Sequence, residues 1–268
     1  MATPPSEEIV TLVAAQAAAR VRLAEATAAG VRAQVGAFAD WYSDAAVAVF
    51  AQRLARLTQG GARNTAAITD AYLARVASLM AGRRIGPVGV VDTSALRQGV
   101  DPDRVYARLA AQYRYLASLD LGADEALQRV TERAGVMADM DTQLAHRDQA
   151  ARFVDETGAD AWRRIIRPEL SEGGACGLCV VAADRLYYRE DLKAVHERCK
   201  CEVLPVYGEA DPGLSLNRQD LDALYDAAGS NRGADLKRVR IAVETHGELG
   251  QVLRDADQHF RGPGQVAA

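Results

Sequence analysis

All four cysteines of this 268-residue chain fall between Cys176 and Cys201. They are spaced as Cys176-x-x-Cys179 and then, after His196, as His196-x-x-Cys199-x-Cys201. Two residues between thiolates let both sulfurs turn toward one metal ion at about 2.3 Å, and Gly177 eases that turn. If the second segment is extended, Cys199 and Cys201 share a face, because strand side chains alternate. Tetrahedral zinc takes four ligands, and five candidates are present: Cys176, Cys179, His196, Cys199 and Cys201. Either the four cysteines bind and His196 supports them from outside, or His196 replaces one of the final pair. Spacing leaves both open.

Other uses of the same cysteines fit less well. Two disulfides would need maturation outside a reducing cytosol. A thioredoxin-like redox pair would need a strand before the motif and a helix opening at it. Catalytic zinc keeps an open position beside three protein ligands, whereas five candidates crowd this window. The His-x-Glu and Pro-Cys-x-x-Cys deaminase signature is absent, as is His-Glu-x-x-His. Gly173-Gly174 lacks the Lys-Ser/Thr of a phosphate loop. The expected metal is therefore a structural Zn2+, with no catalytic residues and no enzyme activity.

The rest of the chain reads as helix. Alanine is abundant and only 6% of residues are aromatic, a composition that favours helices. Ser6 suits an N-cap, with Glu7 and Glu8 in the first turn. An apolar stripe then runs from Ile9 through Val13, Val31, Val35 and Phe38 to Val49, with Gly30 and Gly36 as bend points. It is expected to stop near Leu57, before Gly60-Gly61. A second helix is expected from Asn64 to Met80. Gly86 to Val91 reads as an extended connector. Asp101-Pro102 opens a third helix, and a fourth is expected from Gly122 to Val154, closed by Gly158.

After Gly158 the pattern changes. Strands are expected around Trp162 to Ile166, from Glu202 to Tyr207, and from Lys237 to Glu244. A short helix capped by Asn217 is expected up to Ala228. The fold class is thus mainly α: long N-terminal helices, then a small α+β module with a structural zinc site. The expected division is 1–157 helical, 158–260 α+β with the zinc, and 261–268 a flexible tail. His146 is expected to be solvated, His246 to sit in a turn and His259 to stand alone. Arg163, Arg164 and Arg167 are expected on a solvated face.

The formal net charge of −4 gives no general affinity for polyanions. No apolar run is long enough to span a membrane, and Met1 to Glu8 lacks the basic start of a secretory signal.

Cys176-Gly177-Leu178-Cys179, followed by Val195-His196-Glu197-Arg198-Cys199-Lys200-Cys201 and then Glu202 to Val206 with Pro205, resembles the C-terminal module of phage minor head proteins. This is the bacteriophage Mu F-like family, in the form found in phages of actinobacteria. The resemblance covers about Asp155 to Tyr207, a fifth of the chain; the N-terminal helices carry no matching motif. It implies a minor capsid protein active in head morphogenesis, located in the virion interior near the portal and in the host cytoplasm during assembly. Its implied partners are the portal protein and other capsid proteins, with packaged DNA as a further contact. It implies no membrane and no small-molecule substrate. Two other readings stand beside it: a zinc-dependent nuclease or DNA-processing enzyme using His196, and a non-catalytic DNA-binding zinc module.

Overall fold

The structure is a computed structural model that describes residues 6–119, 122–167, 183, 186–187, 201–209, 211–217, 241–246 and 250–255. It is mainly helical, with a small sheet. Its long helices are α1 (Glu7–Gly36), α2 (Asp44–Ala81), α3 (Pro102–Ala117) and α4 (Ala123–Thr157). The strands among the described residues are β1 (Ala161–Ile165), β2 (Leu186–Tyr187), β3 (Glu202–Val206), β4 (Ile241–His246) and β5 (Gly250–Asp255).

The helix starts follow from local chemistry. The Ser6 Oγ accepts from the Ile9 N–H at 3.3 Å. Ser43 does the same for Ala46, and Asp101 for Asp103, with Pro102 in the first turn. Gly82 and Gly158 close α2 and α4 with φ of 61° and 68°, a left-handed geometry that glycine adopts without strain.

Two helix boundaries differ from expectation. The first helix stops at Gly36, and α2 begins at Asp44 and runs unbroken through Gly60-Gly61 to Ala81. Gly61 is not a stop but a point of close approach. A Cβ there would lie 2.7 Å from the Thr27 Cγ2 of α1, so only glycine lets the helices come this near.

α1, α2 and α4 each pack on the other two, and α3 lies against α2 and α4. Glu8 meets Arg75, Gln16 meets Thr69 and Gly61 meets Thr27, so α1 and α2 run antiparallel. With 38 residues, α2 is about 57 Å long at 1.5 Å per residue. Apolar side chains fill the two ends of this long bundle differently. At one end Phe38, Trp41, Phe50, Leu54, Tyr106 and Leu109 form a core, with Phe38 stacked on Phe50 at 4.0 Å between ring centroids. At the other, Ile9, Val13, Leu73, Val76 and Phe153 pack with Trp162, Ile165, Val203 and Leu204 of the sheet. Packing is therefore continuous across Gly158. Between the ends the interior is mostly alanine, with Leu96, Leu144 and buried polar groups: Gln16, Arg20, Thr58, Thr65, Thr69, His146 and Gln149.

The extended connector over 86–91 is held by side chains rather than by a sheet. Asp70 accepts from the N–H groups of Val88 and Gly89 at 3.1 and 2.8 Å. Gln149 accepts from the Val91 N–H and donates to the Gly89 carbonyl, both at 2.9 Å. Arg152 donates to the carbonyls of Val88 and Val90.

β1 is the centre of an antiparallel sheet ordered β2-β1-β3, and β4 pairs with β5 in a separate hairpin. The β1–β3 ladder sets Ile165 opposite Glu202 and Ala161 opposite Val206. His246, expected in a turn, closes β4 opposite Gly250. Residues 212–217 are helical, so Asn217 lies within helix instead of capping one. Its side chain is buried against β1, accepting from the Ile166 N–H and donating to the Arg164 carbonyl at 2.7 Å. The remainder of the expected helix to Ala228, the start of the expected strand at Lys237, His259 and the tail 261–268 lie outside the described residues.

Candidate functional site

Of the five expected zinc ligands, Cys176, Cys179, His196 and Cys199 lie outside the described residues. Cys201 is described: it is buried and sits immediately before β3. Among the described residues, no group of three or more His, Cys, Asp or Glu could hold a metal ion. What the structure shows is how the chain leaving Cys201 is seated.

That seat is a buried polar cluster built by four elements. β3 places Glu202 inward, on the same face as Leu204 and Val206. Glu202 is fully buried, and burying a carboxylate is costly unless it is paired. Arg20, on the buried side of α1, supplies the pair: its Nη1 is 2.5 Å from Glu202 Oε1 and donates to the Cys201 carbonyl at 3.1 Å. One guanidinium nitrogen thus grips both the side chain of Glu202 and the backbone before it. On the other carboxylate oxygen, His146 Nε2 of α4 lies 3.7 Å away. His146 Nδ1 is 3.0 Å from Thr69 Oγ1 of α2, to which the Gln16 amide donates at 3.2 Å. Tyr72, one turn further along α2, donates its hydroxyl to the Val203 carbonyl at 3.2 Å. Burial, and after it the Glu202 carboxylate, push the Tyr72 phenol well above its usual value. Ala17, Arg20, Thr65, Thr142, Gln143 and Glu202 border a cavity of about 10 Å³ beside this cluster, room for about one water.

His146 was expected to be solvated, and it is buried instead. Its ring faces into the protein, toward Thr69 and Glu202. Arg163 and Arg164 are likewise buried, contrary to the expected solvated face. Arg163 makes a two-pronged pair with Asp211, Nε to Oδ2 at 2.7 Å and Nη2 to Oδ2 at 2.5 Å, and donates to the Ala183 carbonyl. The Arg164 guanidinium lies 5.2 Å from the Trp162 ring centroid, and Trp162 is stacked on Tyr187 at 4.5 Å. Cation–ring contact of this kind lets an arginine sit inside a protein.

A second buried pair lies within the bundle. Arg97 Nε is 2.6 Å from Asp141 Oδ1, and the Tyr106 hydroxyl donates to Asp141 Oδ2 at 2.7 Å. Burial raises the Asp141 carboxyl above its ordinary value, with Arg97 pulling it back. Arg97 offsets the charge of Asp141, and these two with Tyr106 border a small cavity beside Thr58 and Leu96.

No family model, characterised protein or solved structure matches the chain.

No helix among the described residues is long and apolar enough to cross a membrane.

Sequence reading missed Arg20, His146 and Glu202. A signal for the first was present. Val13, Ala17, Arg20, Ala24, Ala28 and Val31 follow helical spacing, so Arg20 interrupts an apolar stripe on its inward side. A charge in that position implies a buried partner.

Proposed function

We propose that this protein is a non-catalytic minor component of a phage head, with a zinc-stapled module seated on a helical bundle that contacts the portal. The observation that carries the reading is the cysteine–histidine run itself, His196-x-x-Cys199-x-Cys201, passing directly into the strand β3 with its Pro205. The long bundle is consistent with a scaffold-like part. Among its described residues, Arg20 is paired with Glu202 and Arg97 with Asp141 inside the protein.

Zn2+ would be held by four of Cys176, Cys179, His196, Cys199 and Cys201. Cys201 suits the role of an anchoring ligand, since its backbone is fixed by Arg20 and the strand that follows is buried. The ion would supply structure only: cross-linking distant parts of a short module that is poor in aromatic residues. The chain's own residues do the remaining work. Arg20, His146, Thr69 and Tyr72 seat β3 on the bundle, and Arg163, Asp211 and Asn217 fasten β1 beside it.

The direct test is co-expression of the full chain with the portal and major capsid proteins of its phage. Association with the portal ring, and about one zinc per chain by elemental analysis, are the expected results. A chain that carries zinc but stays out of procapsids overturns the head assignment. Cleavage of DNA that His196→Ala abolishes would favour the nuclease reading instead.

A further inference from the structure

We infer that Arg20, on the first helix, is a positioning residue for the metal module, and that it couples metal occupancy to the order of the helical bundle. This inference rests on the zinc reading above. The coupling would run through a single atom. Arg20 Nη1 donates to the carbonyl of Cys201, a candidate ligand, and to the carboxylate of the next residue, Glu202. The contact joins residues 181 and 182 positions apart in the chain. Both partners are buried, so neither side can be replaced by water without rearrangement.

The geometry has a directional consequence. A thiolate ligand is aimed by its backbone, and the Cys201 peptide is held from one side by Arg20 and from the other by the β3 ladder. With the Cys201 sulfur bound to a metal, the ligand strand is fixed and presents Glu202 to Arg20 and His146. With the metal gone that constraint is lost, and the Arg20–Glu202 pair, the Tyr72 hydroxyl and the β1 ladder are left to hold the strand. Groups that orient metal ligands without touching the ion commonly change affinity by about 10- to 100-fold when removed. Arg20 occupies that role from a helix far away in sequence, so the metal site and α1 should tighten together and loosen together.

The experiment uses the full chain. Zinc affinity is measured by competition with a chromophoric chelator, for the native protein and for Arg20→Met, Arg20→Lys and Glu202→Gln. The same proteins are loaded with Co2+ and their visible spectra recorded. Arg20→Met is expected to weaken zinc binding by about 10- to 100-fold and to shift the Co2+ bands. Arg20→Lys, which keeps one charged donor, should restore part of the affinity.

Should Arg20→Met fail to fold, the native protein still decides. On removal of zinc by chelator, hydrogen exchange should speed up at the α1 amides around Arg20 as well as in β3. Faster exchange in β3 with α1 unchanged overturns the coupling, as does a Met variant with native affinity and an unshifted Co2+ spectrum. A native chain that binds neither zinc nor Co2+ overturns the zinc reading itself, which is a distinct result.

Discussion

Gly61 of α2 lies against Thr27 of α1 so closely that a methyl group on its Cα would fall 2.7 Å from the Thr27 Cγ2. Its neighbour Gly60 has nothing within 4 Å of the same position. Gly61→Ala is expected to push the helices apart and destabilise the protein by about 1–3 kcal/mol, the usual cost of overpacking. Gly60→Ala is expected to stabilise it by up to about 1 kcal/mol, because alanine is the better helix former. Urea denaturation of the two variants side by side tests the contrast. Equal effects would contradict the close approach.

Arg20 and Glu202 form a buried pair, so removing one partner strands the other. Glu202→Leu is expected to cost about 3–5 kcal/mol. The double variant Arg20→Met, Glu202→Leu should be less destabilised than the sum of the single changes, because no unpaired charge is left inside. A double-mutant cycle by chemical denaturation reads the coupling directly. Additive single effects would show that the two side chains do not act together.

The buried tyrosines set an alkaline limit on stability. Burial raises the phenols of Tyr72 and Tyr106 well above the ordinary value, with Glu202 and Asp141 adding to the effect. Below about pH 10, folded and unfolded chains both keep these protons, and the contribution is full. As pH rises past about 10, the unfolded chain releases protons that the folded chain holds, so stability falls. Absorbance near the tyrosinate band, recorded alongside the helix signal through an alkaline titration, tests this. Tyr72 and Tyr106 should ionise only together with loss of helix signal.

Asp70 is the side chain on which the connector turns. Asp70→Ala removes the acceptor of two backbone N–H groups, those of Val88 and Gly89. The expected loss is about 2–3 kcal/mol, since hydrogen bonds to a charged group are among the stronger ones. Limited proteolysis should then cut the variant between Gly86 and Val91 while the native chain resists. Resistance in both would mean that Gln149 and Arg152 suffice.

Much of the helical architecture was legible because it is written in local chemistry. Ser6, Asp101-Pro102 and Gly158 mark helix ends by capping, and the structure places ends there. Gly60-Gly61 misled because a glycine pair reads the same whether it ends a helix or lets another helix approach. Only the partner, Thr27, distinguishes the two, and it is remote in sequence. His146, Arg163 and Arg164 misled for a related reason. Each is polar and each has polar neighbours, so each reads as surface. Their burial depends on Glu202, Asp211 and the Trp162–Tyr187 stack, partners that meet them only in the folded chain. Of the candidate metal ligands, the spacing was plain in sequence. The seat of Cys201 was not, because Arg20 lies at the other end of the protein.

The alanine-lined middle of the bundle has one more consequence. Alanine faces are nearly smooth, and helices packed through them can slide by a turn, about 5.4 Å, without losing much contact. Slippage of that kind would part Gln16 from Thr69, Thr69 from His146 and Arg20 from Glu202. These few polar residues act as notches that admit a single alignment of the helices and of β3. Where the alanines tolerate exchange for one another, the notches do not, and the uniqueness of the fold resides in them.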